Sequence, residues 1–422
     1  MYWYIVGFSL ISPLVGIYLV EGGHLSWSIG VIGYPNGASI AYLQYILVFS
    51  ASSFGTIALI RLTSIAAKRQ RTASKISKNV YTDRDFFTFA QRVLWVNIIF
   101  GIVFVFGFGS IKVVLGYVDK GSFRSTLGVL GFIPYLFTKT IIPVLLACLA
   151  ILYLKSAKTK ANKAILFWNF FIAFVVAMTW GFKTTGIALL LPAGIVFLWS
   201  ANILIIMKYF IYGFSIIVGA FFVFDAGTNS NSTDVLNFLF IRATVLQGDV
   251  SWWVWDIYTT NGDFPPYFGT LLAALGDKFL VILGVTQNDL MVWMLHHYDW
   301  LINYVAGVSL GDTANGHSIV GTPFSEGLIM GGYVGMIVIA SLAGSLVGLM
   351  YVNIRNAILL GKAIKGSLVT TYFCFYVFPW LVGGGLVQLF HISVIVGFFL
   401  SYAIVSQIVP RGYGQEPELL GH

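Results

Sequence analysis

The stretch EGLIMGGYVGMIVIASLAGSLVGLMYV, from Glu326 to Val352, carries one charge, at its first position, and no other Lys, Arg, Asp, Glu or His. At about 1.5 Å of rise per residue, a helix of this length crosses the roughly 30 Å hydrocarbon core of a bilayer with room for tilt. Lipid offers no water to exposed N–H and C=O groups, so a spanning chain must bond them internally, and an apolar run of this length does so as a helix rather than as a barrel strand. Moving outward, the same signature recurs in Tyr2 to Val20, Ala41 to Ile60, Leu94 to Phe108, Phe132 to Leu154, Ala164 to Trp180, Gly186 to Ile206, Tyr209 to Phe224, Leu368 to Leu386 and Ile392 to Val409. Together these runs predict an all-α fold, a polytopic transmembrane helical bundle of about ten spans. Composition agrees: the 422 residues are 58% hydrophobic and 9% charged, with a mean hydropathy of +0.87, where a soluble domain carries about a quarter charged residues.

The runs divide the chain into an N-terminal bundle over residues 1–224, a large loop over 225–325 and C-terminal spans within 326–422. That loop is too long for a connector and too aromatic for a disordered linker. It holds Trp252, Trp253, Trp255, Trp293 and Trp300, a residue type that favours the lipid–water boundary. Its apolar stretch from Phe264 to Val285 is interrupted by Asp277 and Lys278, which predicts interfacial or re-entrant helices, with an extra pair of short spans as the competing reading. The first run does not read as a cleaved signal peptide, because no Lys or Arg precedes it and no small-x-small site follows it.

Basic residues set the orientation. With the N-terminus inside, Arg61, Lys68, Arg69, Arg71, Lys75, Lys78, Arg84, Arg92, Lys155, Lys158, Lys160, Lys163, Lys208, Arg355, Lys362, Lys365 and Arg411 all fall on the cytoplasmic side, 17 of the 24 in the chain. Both termini are therefore expected in the cytoplasm and the large loop outside. A net charge of +8 would suggest nucleic acid in a soluble protein, but these residues sit beside spans, where anionic head groups of membrane lipids are the expected contact and nucleic acid is not. Cys148 and Cys374 each lie within a run, so free buried thiols are expected. Gly327, Gly331 and Gly335, then Gly344 and Gly348, recur at four-residue spacing and read as a small-residue face for close helix contact.

Ionisable groups at the outer ends of spans are the candidate functional residues, since they are costly there. Arg124 lies in the outer loop GSFRSTLG (121–128) and either snorkels to head groups or binds an anion. Lys183 lies in WGFKTTG (180–186), where an ammonium, two Thr hydroxyls and the N–H groups of a starting helix suit an anion; a topological anchor is the plainer reading. Arg242, in FLFIRATVLQGD (238–249) with Gln247 and Asp249 following, is either ion-paired or held for a phosphate, which its forked guanidinium fits. In NGHSIVGTPFSEG (315–327), Thr322 and Pro323 read as N-cap and first helical residue, and the helix dipole accounts for Glu326 in the first turn. His317 lies in the Gly- and Ser-containing loop before that helix, placed for proton transfer. Metal chemistry is not indicated: His296 and His297 are adjacent, and no HExxH or CxxC spacing occurs. No phosphate-binding lysine loop or dinucleotide fingerprint occurs either, so no cofactor is implied.

Three of these segments, GFKTTG (181–186), FIRATVLQGD (240–249) and GHSIVGTPFSEGLIMGGYVG (316–335), resemble the Wzy-type polymerases of O-antigen and related polysaccharides. The likeness extends to the layout of most of the chain. Where that family's short outer turn commonly carries Arg, this chain has Lys183, a point charge in place of a fork. The resemblance implies a GT-C-like membrane glycosyltransferase in the bacterial inner membrane, with its active site facing the periplasm. It would transfer a glycan from undecaprenyl diphosphate onto another lipid-linked repeat unit, with a chain-length regulator protein as a further partner. On that reading Arg242, Lys183 and Arg124 hold the diphosphate, and His317, or else Glu326 or Asp249, takes the acceptor proton. Trp252, Trp253 and Gln247 then contact sugar. An O-antigen ligase acting on lipid A-core is the nearest alternative. A transporter of lipid-linked sugars is the other; it predicts midplane charges and internal repeats, whereas the charges here cluster at outer ends and no repeat is found.

Overall fold

In the computed structural model of this chain, the described residues are 1–24, 33–70, 83–118, 123, 126–180, 183–199, 201–202, 204–209, 211–212, 215, 248–260 and 321–409, with backbone alone at 64–70, 83, 128–129 and 183–184. Among them are helices and no strand. The longer ones, in chain order, are α1 (Tyr2–Glu21), α2 (Ala38–Gln70), α3 (Asp83–Ile102), α4 through Phe132–Lys155, α5 (Lys160–Met178), α6 (Lys183–Phe197), α7 through residues 248–260, α8 (Pro323–Leu360), α9 through Ala363–Gly383 and α10 (Ile392–Ile408). Eight described helices, namely all of these except α6 and α7, are long and apolar enough to cross a membrane. The chain is thus a multi-pass helical membrane protein.

Helix α4 forms the centre, with 83% of its apolar window buried. Every residue from Ile142 to Leu152 is buried, because α6, α9 and α3 enclose it; a helix apolar on all sides is one with neighbours on all sides. Helix α8 lies along α2, and its glycines explain the closeness. A Cβ at Gly344 would sit 2.1 Å from the Phe49 carbonyl oxygen, and one at Gly348 would sit 2.5 Å from that of Ser53. The small-residue face expected there is a backbone contact. Helices α3 and α5 are clamped by amides instead: Asn97 Nδ2 donates to Asn169 Oδ1 at 3.2 Å, and Asn169 Nδ2 donates to the Ala90 carbonyl at 3.1 Å. Both side chains are buried, and partners across a helix pair satisfy groups that lipid cannot. Cys148 and Cys374 are free and buried, as expected.

Two expected spans are corrected. The run from Glu326 to Val352 is not one straight helix, because the backbone leaves helical geometry at Gly331 and Gly332, the latter with φ of +59°. Residues 323–330 fold back on the start of the longer arm: a Cβ on Gly327 would lie 2.6 Å from Met336 Cα, and one on Gly335 would lie 2.2 Å from the Gly327 carbonyl oxygen. Residues nine apart in a straight helix are roughly 13 Å apart. Gly327 and Gly335 therefore face each other across a helical hairpin and share no straight-helix face. The crossing arm starts after Gly332. Thr322 and Pro323 do occupy the N-cap and first turn of the short arm.

The sixth expected span, Gly186 to Ile206, ends early. Helix α6 stops at Phe197 after 15 residues, about 22 Å, and Asn202 Oδ1 then accepts from the Ile205 N–H at 3.0 Å to start another turn. Most of the seventh span, Tyr209 to Phe224, and most of the 225–325 loop lie outside the described residues, including Phe264 to Val285.

Candidate functional site

At one end of the bundle α1, α3, α5 and α9 finish while α2, α4, α6 and α10 begin, and polar contacts collect there. Glu21, the last residue of α1, accepts from the N–H groups of Asn36 at 3.2 Å, Gly37 at 2.6 Å and Ser39 at 3.0 Å, and from the Ser39 hydroxyl. Its carboxylate thus caps α2 and satisfies N–H groups that no helix can bond internally. Helix α7 docks on this corner: Trp255 Nε1 donates to the Asn36 carbonyl at 3.0 Å, and Asp256 Oδ1 accepts from Tyr34 OH at 2.6 Å and Asn36 Nδ2 at 3.3 Å. Asp256 as acceptor raises the Tyr34 phenol above its ordinary value. On the other side of α7, Ser251 Oγ lies 2.9 Å from Thr322 Oγ1 and accepts from Ser325 Oγ at 3.1 Å. Tyr258 OH accepts from the Tyr333 N–H at 3.2 Å, bracing the hairpin at its bend.

The short arm of α8 is buried throughout residues 321–329. Its Phe324 ring packs on Tyr42 and Trp255. Glu326, with no exposure, reaches across to the C-terminal segment. Oε2 accepts from Trp380 Nε1 at 2.9 Å and from the Gly385 N–H at 3.2 Å, and Oε1 accepts from the Leu386 N–H at 2.7 Å. Gly384 and Gly385, with φ of 69° and 84°, make the tight reversal that turns these N–H groups inward. A 3₁₀ turn follows at Leu386–Leu389. The carboxylate therefore fixes the turn that carries Gln388 and leads to His391.

Beside that turn lies a cavity of about 610 Å³. Its described lining includes Leu127, Phe132, Tyr135 and Lys139 from the entry to and first half of α4, Trp180 beyond α5, Phe375, Tyr376 and Pro379 of α9, and Gln388, His391, Ser393 and Val394 at the start of α10. No carboxylate is among them. Two of these walls are π-helical, at Phe137–Ile141 and Phe373–Val377. A third π-helical segment, Val103–Gly107, sets Phe104 against Trp180 at 4.8 Å. A π turn inserts one residue and rotates the downstream part of its helix by about 100°. Lys139 and Tyr376 thus reach the cavity from interrupted helices, with the Lys139 ammonium 5.5 Å from the Phe375 ring centre and Tyr376 OH 3.3 Å from Thr140 Oγ1. His391 caps α10: its Nδ1 accepts from the Ser393 N–H at 3.2 Å and lies 2.6 Å from Ser393 Oγ.

Of the residues singled out by sequence, Arg124, Arg242, Gln247 and His317 lie outside the described residues, and Lys183 opens α6 with its side chain undescribed. Leu127 and Trp180, each three residues from Arg124 and Lys183, line the cavity. Phe123, next to Arg124, packs on Trp180 at 6.0 Å. Asp249 is buried on α7, where Gly248 touches the α1 backbone at Gly16 and Ile17; neither Asp249 nor Glu326 lines the cavity. Trp252 has no exposure and packs on Tyr34 and Trp253, whereas Trp253 is half-buried.

Sequence reasoning missed Lys139 and His391. A lysine seven residues into an apolar run is a costly residue at a depth of about 10 Å, and that alone could have marked it. His391 gave no such signal, because it falls in a short link between spans. Comparison with protein-family models, curated proteins and solved structures finds no match to this chain.

Proposed function

We propose that this chain is a GT-C-like glycosyltransferase of the bacterial inner membrane that polymerises undecaprenyl-diphosphate-linked repeat units, as its resemblance to Wzy-type polymerases implies. The observation that carries this reading is the cavity of about 610 Å³ among the spans, which combines an ammonium, an imidazole, an amide and several aromatic rings with no described carboxylate. Such a lining suits an amphipathic ligand with an anionic head and sugar rings. Leu127 and Trp180, each three residues from Arg124 and Lys183, belong to its lining. The distribution of basic residues supports a periplasmic orientation for this end.

In the proposed reaction, an acceptor sugar hydroxyl forms a bond to the donor's anomeric carbon while the bond from that carbon to the diphosphate oxygen breaks. The electron pair leaves with undecaprenyl diphosphate, and the hydroxyl proton passes to His317. Arg242, Lys183 and Arg124 stabilise the charge that grows on the diphosphate, which a low-dielectric site makes effective. Glu326, which already accepts from three N–H donors, serves as a positioning residue in place of a base. A chain-length regulator would act as a partner of the assembled enzyme.

Deletion of the gene in a host that makes the polymer distinguishes the readings. A polymerase leaves lipid A-core bearing a single repeat unit. Core bearing none, with polymer stranded on the carrier lipid, means a ligase, and repeat units retained on the cytoplasmic face mean a transporter.

A further inference from the structure

Two walls of the cavity carry the same pattern, a Phe six residues before a Pro: FTKTIIP (137–143) in α4 and FCFYVFP (373–379) in α9. Each opens a π-helical segment at its Phe. In the first, the Ile142 N–H donates to the Phe137 carbonyl and Pro143 has no N–H, so the helix keeps no free donor for the Thr138 carbonyl in either α or π bonding. In the second, the Phe378 N–H donates to the Phe373 carbonyl, and Pro379 leaves the Cys374 carbonyl in the same position. A helix that loses ladder bonds at one level bends there. The two levels face each other, because the Lys139 ammonium lies 5.5 Å from the Phe375 ring centre and Thr140 Oγ1 lies 3.3 Å from Tyr376 OH.

On the inner side of the π turns both helices are held. Ile142 to Leu152 is buried throughout, and the first half of α9 packs on it. On the outer side the arms are Phe132–Leu136 and Phe378–Gly383, and they differ. Glu326 ties the α9 arm and the turn after it to the α8 hairpin, through Trp380, Gly385 and Leu386. On the α4 arm, Phe132 and Ile133 are 40% and 44% exposed. We infer that the two arms form a hinged clamp on the cavity: each bends at its π turn, the Thr140–Tyr376 contact couples them, and Glu326 is the catch on the α9 arm. Bending changes the gap between Phe132 and Tyr135 on one side and Pro379 and Gln388 on the other, all of which line the cavity. The inference concerns access to the cavity and does not rest on the polymerase reading.

The test is hydrogen–deuterium exchange of the purified full chain in phosphatidylcholine nanodiscs, read peptide by peptide in a mass spectrometer. Amides in 132–142 and 373–386 should exchange while those in 144–152 stay protected. Pro143→Ala and Pro379→Ala each supply the missing donor and should slow exchange at their own π turn by roughly fivefold, the opening suppressed by one regained hydrogen bond. Part of that slowing should appear on the other arm, and adding Tyr376→Phe should abolish the carry-over. Glu326→Gln should speed exchange in 378–386. A wild type in which 132–142 and 373–386 are as protected as 144–152 overturns the inference without any variant having to fold. Unchanged exchange in both well-folded proline variants overturns the hinges, as does a slowing that extends equally over 144–152, which would report a general gain in stability. Slowing confined to the substituted helix overturns the coupling.

Discussion

Replacing Glu326 should loosen the whole distal end, and the size of the effect follows from three of its contacts among the described residues. The carboxylate accepts from Leu386 N–H at 2.7 Å on one oxygen, and from Trp380 Nε1 at 2.9 Å and Gly385 N–H at 3.2 Å on the other. Each buried donor left without an acceptor costs about 1–3 kcal/mol. Gly385 and Leu386 are only partly buried, so water recovers part of that, and Glu326→Ala should cost about 3–5 kcal/mol. Glu326→Gln keeps one oxygen and turns an NH₂ toward the other set of donors, so about 2 kcal/mol is expected. Thermal loss of the monodisperse species in detergent should therefore rank wild type above Gln above Ala. Because the turn carries Gln388 and leads to His391, both variants should also weaken binding at the cavity. An Ala variant as stable as the wild type would mean that the network does not hold the turn.

The α8–α2 contact predicts that Gly344→Ala, whose Cβ would lie 2.1 Å from the Phe49 carbonyl oxygen, destabilises by about 1–3 kcal/mol, whereas Gly55→Ala, with open space around it, does not; detergent melting of the pair measures the difference. Gly332→Ala meets both a φ of +59° and the Tyr258 ring at 2.8 Å, so it should cost about 1–3 kcal/mol and expose the hairpin bend to protease. Asn169→Leu removes the partner of Asn97 across α3 and α5 and should cost about 1–2 kcal/mol, read by the same melting assay; a rise in stability would mean that the clamp is not structural.

The spans α1 to α5, α9 and α10 were legible because length and hydropathy alone determine a crossing helix. The hairpin in α8 was not, because residues on both sides of Gly331 and Gly332 are equally apolar and a glycine repeat carries the same pattern whether the helix is straight or folded. Glu326 reads as a first-turn acid in sequence, and that much holds. Its partners lie 54 to 60 residues away, a distance no local pattern encodes. Glu21 was silent for a similar reason: its value lies in capping the helix that follows a loop. Lys139, which lines the cavity, was hidden by the opposite effect, since averaging over an apolar run dilutes the single charge within it.

The most direct test of the central claim is an incubation of purified protein with undecaprenyl-diphosphate-linked repeat units, without nucleotide or metal, resolved on a gel. A polymerase of the proposed kind gives a ladder of polymer with the wild type, lost in Arg242→Ala and in His317→Ala at unchanged protein level. Well-folded wild-type protein that yields no ladder from its matched substrate, or an undiminished ladder from both variants, would contradict it.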